Sequence, residues 1–226
     1  MITKKEYIYE VTSFINSLYD YMFFSSPIDE IKDKYIKLTN LNFDVFYNEL
    51  NNIKNKMYRL IELIISKDKA CKNKEEIIYS HLGFESIFSY RIAHIFYINK
   101  EYLLAKTISS ISHGLTGIDI NPGAQIGDDF FIDHGTGIVI GETSIIGNNV
   151  TMFHGVTLGT NNIDKICSLK RHPTILDNVI LYSNCTILGG STIIGNNVII
   201  GCNVVINESI SDNSIVKLNK NYIIKK

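Results

Sequence analysis

Two of the six histidines, His134 and His154, each sit two places after an aliphatic residue, Ile132 and Met152, and are separated by 20 residues. Imidazole is the side chain best suited to take up and return a proton near neutral pH. Two imidazoles held side by side also disfavour each other's charge. Asp119 precedes His134 by 15 residues, and a carboxylate that approaches an imidazole can fix its tautomer and stabilise the imidazolium. Arg171-His172-Pro173 puts a guanidinium beside an imidazole at a proline that redirects the chain, a combination able to grip a carboxylate through two parallel hydrogen bonds. In isolation each is commonplace: a lone histidine is usually a solvated strand residue, and a lone Arg-His is usually a solvated charge pair.

What would hold these groups in register is a repeat. After Gly114 an aliphatic residue recurs at every sixth place, usually followed by a small residue: Ile120, Ile126, Ile132, then Ile140, Ile146, Met152, Leu158, and later Ile175, Leu181, Ile187, then Ile194, Ile200 and Ile206. Thirteen such repeats describe a β-solenoid, each repeat giving one short strand with its aliphatic residue inward, and three repeats making a triangular coil of 18 residues. The rhythm breaks with steps of eight (Ile132 to Ile140), 17 (Leu158 to Ile175) and seven (Ile187 to Ile194). Extra residues leave a solenoid as outward loops, where function concentrates. The first break lengthens one coil from 18 residues to 20, so His134 should stack on His154 about 5 Å away in backbone terms. The second break delivers Arg171 and His172. Asn148-Asn149 and Asn196-Asn197 suit tight corners, because asparagine tolerates the left-handed backbone.

Before about His113 the apolar spacing is three or four, as in Ile8, Val11, Phe14, Ile15, Leu18 and in Ile53, Met57, Leu60, Ile61, Ile64, which predicts five to seven helices. Ser25-Ser26-Pro27 ends one helix and opens another. Ser66 to Lys74 is a charged connector, and Gly83 precedes a helix from Phe84 to about Ile98, followed by one from about Tyr102 to Ile111. The expected fold class is α+β: a helical domain over 1–113, a β-helix over 114–216 and a tail over 217–226. His94, among Ile92, Ile95 and Phe96, reads as a packing histidine, while His81 and His113 are connector residues without a task.

With 22 basic and 23 acidic side chains and a formal charge of −1, the chain lacks the basic surface that nucleic-acid binding needs. The first ten residues do not resemble a secretory signal, and no run approaches a membrane span, so a cytoplasmic protein is expected. Cys71, Cys167, Cys185 and Cys202 lack CxxC spacing and suit reduced thiols, with Cys185 and Cys202 as small packing residues. Nothing in the chain suggests a metal.

Asp119-Ile120-Asn121-Pro122, Asp133-His134-Gly135-Thr136-Gly137-Ile138-Val139-Ile140-Gly141-Glu142, Gly155-Val156-Thr157-Leu158-Gly159 and Arg171-His172-Pro173, in that order, closely resemble serine O-acetyltransferases. Gly83-Phe84 through Tyr90-Arg91-Ile92-Ala93-His94 resembles the family too. The resemblance implies a left-handed β-helix that forms a homotrimer, often a dimer of trimers through the helical domain, with active sites between neighbouring coils of the trimer. It implies L-serine and acetyl-CoA as substrates, no further cofactor, and feedback inhibition by L-cysteine. His134 would be the general base and Asp119 its orienting partner. Asp133 and Asp68 would contact the substrate ammonium, and Arg171 and His172 its carboxylate. Gly159, Ser183 and Cys202 would touch acetyl-CoA, and His154 would tune the base or line the cleft. The segment Thr160–Lys170 is bulkier than the family's glycine-rich loop, and the tail ends in two lysines rather than the isoleucine with which many members dock into cysteine synthase, so that complex is not expected.

Three other functions fit parts of the pattern. A hexapeptide-repeat acetyltransferase acting on a sugar or another small acceptor would use the coils and His134. A zinc hydratase would need His134, His154 and His172, spaced by 20 and 18 residues, to converge on one ion. A noncatalytic scaffold needs only the coils.

Overall fold

The computed structural model describes residues 2–161 and 170–219, so most of the excursion expected between Thr160 and Lys170, with Cys167 in it, and residues 220–226 of the tail lie outside the described residues. Six helices precede the solenoid among the described residues: α1 (Lys4–Phe23), α2 (Ile28–Leu38), α3 (Phe43–Lys67), α4 (Lys74–Ser80), α5 (Leu82–Ile98) and α6 (Tyr102–Thr116). Thr3 and Glu6 form a capping box on α1, while the side chains of Asn42 and Asn73 accept the first free N–H groups of α3 and α4. Pro27 leads into α2. The apolar stripes meet in an aromatic core of Phe14, Tyr35, Phe46 and Phe96, all buried. Helix α6 continues through Gly114, past the boundary expected at His113, and stops at Gly117, whose φ of 70° caps it with the left-handed turn that glycine supplies.

The second half is a solenoid of parallel strands, two or three residues long, on three faces. Ile120, Ile140, Leu158, Ile187 and Ile206 lie in register on the first face. Ile126, Ile146, Ile175 and Ile194 do so on the second, and Ile132, Met152, Leu181, Ile200 and Val216 on the third. All thirteen expected inward residues are buried, none more than 8% exposed. A second inward place, two residues earlier, was not anticipated. It holds Ile118, Ala124, Phe130, Ile138, Ser144, Val150, Val156, Val179, Cys185, Thr192, Val198 and Val204, again buried. Cys185 is therefore a core residue, as expected, and burial pushes its thiol up to about 12, which leaves it unreactive.

Corners recur three residues after the inward aliphatic, where Asp129, Asn149, Asn178, Asn184, Asn197 and Asn203 take φ between 52° and 61°. Only the second asparagine of each expected pair turns the corner. The corner side chains also bond between coils, Asn149 to Asn178 and Asn197 to Asn213, each at 2.9 Å. With so narrow a core, Ile187→Ala cannot be relieved by repacking. The substitution is expected to cost about 2–5 kcal/mol, read as a lower urea midpoint with an unchanged slope.

The helices brace the first coil. Tyr90 Oη donates to the Ala124 carbonyl at 2.6 Å, and Arg91 donates to Ile126 O at 2.7 Å and to Gly127 O. His94 Nδ1–H donates to Pro122 O at 2.8 Å, which makes His94 the structural histidine expected. Gly83 lies so close to the third face that a Cβ there would stand 2.7 Å from Ile132 O, so only glycine lets the start of α5 approach. At the end of α3, Lys67 Nζ donates to Asn149 Oδ1 (2.9 Å) and Thr151 Oγ1 (3.1 Å). No helix among the described residues is long and apolar enough to cross a membrane.

Candidate active site

The two-residue insertion after Ile132 folds outward through three left-handed residues, His134 (φ 58°), Gly135 (88°) and Gly137 (81°). The insertion swings the His134 side chain into solvent, 76% exposed. Strand register places Asp133 beside Phe153, and the next residues, His134 and His154, bring their rings to 5.9 Å, edge to face at 74°. This is the stacking expected from the 20-residue spacing. The register of Met152, Leu181 and Ile200 carries the same place upward to Ser183 and Cys202. Ser183 Oγ lies 3.5 Å from His154 Nδ1, and Cys202 is exposed. His134, His154, Ser183 and Cys202 thus form one polar column along the edge between the third and first faces.

Carboxylates gather at the lower end of this column. Asp133 Oδ1 stands 3.7 Å from His134 Nε2. Asp68 caps the C-terminus of α3 and accepts the Ala70 N–H through Oδ1 at 2.8 Å. Asp119 lies on the first face beneath Val139, with its N–H bonded to Ile138 O. Among the described residues it forms no ion pair with His134, so the carboxylate closest to that imidazole is Asp133 rather than the Asp119 expected.

Arg171 and His172 occupy the opposite edge of the first face. His172 packs over Gly141, where a methyl group would overlap the imidazole ring. Thr143 secures the segment: its Oγ1 accepts the N–H groups of Arg171 (2.9 Å) and His172 (3.0 Å), and its own N–H donates to His172 Nδ1 (3.2 Å). Because Nδ1 accepts, the proton of the neutral ring sits on Nε2. Burial, with Arg171 and Lys170 nearby, keeps the imidazole's pKa below its usual value, while Glu142 opposes this. A neutral Nε2–H beside a guanidinium suits a carboxylate. His172 does not join His134 and His154, and no group of three histidine, cysteine, aspartate or glutamate side chains among the described residues could hold a metal ion.

Gly159 lies near this second edge, paired with Leu188, away from Ser183 and Cys202. Sequence reasoning missed two residues. Thr143 could have been found by counting, since it stands as far before Ile146 as His172 before Ile175, and these aliphatics are in register. His81, taken for a connector, lies where α4 gives way to α5, and Asp68, Asp133 and His134 all act on its charge. No local pattern marks it.

A parallel solenoid of six-residue repeats, with an imidazole pair on one edge and an Arg-His clamp on the next, defines a hexapeptide-repeat β-helix protein. No family model matches the sequence. Over 129 residues, 57% of this chain, it is 48% identical to a serine acetyltransferase of Bacillus subtilis, and the match spans 58% of that protein's length. A crystal structure of serine acetyltransferase isoform 3 from Entamoeba histolytica in complex with cysteine superposes with a TM-score of 0.78 at 30% identity, over 96% of this chain and 84% of that one. The Neisseria gonorrhoeae serine acetyltransferase in complex with serine gives 0.73 at 28%, over 92% and 80%. The chain belongs to the serine acetyltransferase family.

Proposed function

We propose that the protein transfers the acetyl group of acetyl-CoA to the hydroxyl of L-serine, giving O-acetylserine and CoA. The observation that carries this reading is the pair of complementary clusters, an imidazole column flanked by carboxylates on one edge and a neutral His172 beside Arg171 on the other. Together they offer a proton acceptor, an ammonium pocket and a carboxylate clamp, which are the groups a free amino acid with a hydroxyl side chain requires.

In this mechanism His134 accepts the hydroxyl proton as the serine oxygen attacks the thioester carbonyl. The tetrahedral intermediate then expels the CoA thiolate, which recovers the proton from the imidazolium. Asp133 and Asp68 face the substrate ammonium, and Arg171 with His172 the carboxylate. Asp119 serves His134 if the exposed imidazole turns toward the first face. Ser183 and Cys202 continue the column along which the acetyl-CoA arm lies, with Gly159 at the far edge.

Within one chain the two clusters stand at opposite edges of the first face, too far around the coil to hold one serine. A homotrimer in which the Arg171 edge of one copy meets the His134 edge of the next would complete the site. The exposed Val139 and Val205 on that face suit burial between copies. L-cysteine, sharing the ammonium and carboxylate of serine, would compete for it, and a cytoplasmic enzyme fits reduced thiols.

Thiol release from acetyl-CoA with and without L-serine is the direct test: strong dependence on serine is expected, and faster turnover of a sugar acceptor would overturn the reading. Shared sites predict complementation. Chains carrying His134→Ala and chains carrying Arg171→Ala, each nearly inactive, should regain activity when co-expressed, because some mixed interfaces carry both native edges.

A further inference from the structure

His81 ends α4 and starts α5, and among the described residues its side chain is tied at one nitrogen only. The Phe84 N–H donates to Nδ1 at 3.0 Å, an N-cap formed by imidazole. The neutral ring therefore carries its proton on Nε2, and a second proton on Nδ1 would displace the cap. Its ring centroid lies 6.3 Å from that of Phe131, which is buried beneath His81 and the Lys67 ammonium. Two residues on from Phe131, on the same outward side of the strand, is Asp133. On the α3 side stands Asp68, with one carboxylate oxygen taken by Ala70. His81 thus sits where Asp68 and Asp133, the two carboxylates assigned to the substrate ammonium, both act on its charge, and among the described residues its Nε2–H has no hydrogen-bond partner.

We propose that His81 is a positioning residue of the ammonium pocket: its Nε2–H supports the free Asp68 oxygen across the gap while the ring itself stays uncharged. The inference rests on the serine reading of this site. Burial holds the ring's pKa below its usual value, whereas Asp68 and Asp133 raise it and His134 lowers it. A neutral donor organises the carboxylates without setting a second positive charge against the ammonium, which a lysine in the same place would do. Lys67, a cation at this seam, is committed to Asn149 and Thr151.

The test separates cap from pocket. His81→Asn keeps a good N-cap acceptor but falls short of Asp68, so helix content and melting temperature should hold. The KM for L-serine should rise about tenfold, the typical effect of losing one hydrogen bond to a charged group, while the KM for acetyl-CoA and kcat at saturating serine stay within about twofold. His81→Gln, with a longer amide, should recover most of the loss. A serine KM in His81→Asn equal to that of the unaltered protein would overturn the proposal, as would equal rises in both KM values. If the asparagine variant fails to fold, a glutamine variant that folds but raises the KM for serine and for acetyl-CoA equally also overturns it. Failure of the unaltered protein to use serine would instead sink the serine reading, and the two outcomes are distinct.

Discussion

Removing the His134 imidazole is expected to lower kcat for acetyl transfer to L-serine by about 10²-fold or more, the usual contribution of a general base. His134→Asn is the better variant, because residue 134 has φ 58° and asparagine accepts the left-handed region at less cost than alanine. The neighbouring ring of His154, 5.9 Å away, offers a partial substitute. The double replacement of His134 and His154 should therefore fall further only if the second imidazole takes over the proton. Steady-state turnover, with serine and acetyl-CoA binding measured separately, checks this. Unchanged kcat would leave the protein as a scaffold that happens to carry histidines.

A single methyl group at Gly141 should be nearly as damaging. Nothing at that glycine touches substrate in the proposed site, yet the His172 ring occupies the space a Cβ would need. The ring cannot swing aside freely, because Thr143 bonds both to its backbone N–H and to Nδ1. Gly141→Ala must break those bonds, at roughly 1 kcal/mol each, and displaces the carboxylate clamp. The expected result is a fall of about 10–100-fold in kcat/KM, carried mainly by the KM for serine, with helix content preserved. Normal serine kinetics in a folded Gly141→Ala protein would show that His172 does not hold the substrate.

The fold was largely legible before the structure, since a six-residue period survives reading by eye and each inward aliphatic proved buried. The stacking of His134 on His154 followed from arithmetic on the same period. The second inward place was missed because its occupants range from alanine to phenylalanine and show no single chemical signature. The direction of the His134 side chain was not legible for another reason: a loop of left-handed residues sets it, and sequence spacing fixes only where such a loop starts. Thr143 and His81 act through hydrogen bonds across 29 residues and through a helix cap, respectively. The register of Ile146 with Ile175 does specify the Thr143 contact, but where His81 stands over the first coil depends on how the helical half docks there, which periodicity within either half cannot specify.

That docking also decides how the molecule should come apart. A solenoid touches only its nearest coils, so it loosens like a zip from whichever end is unsupported. Here one end is fastened by Tyr90, Arg91, His94 and Lys67, while the other, among the described residues, finishes in the short pairing of Ile199 and Ile200 with Ile215 and Val216. Amide exchange should then run as a gradient, fastest beyond Cys202 and slowest beneath His134. Warming would loosen the upper end of the polar column while its imidazole pair still stood in place.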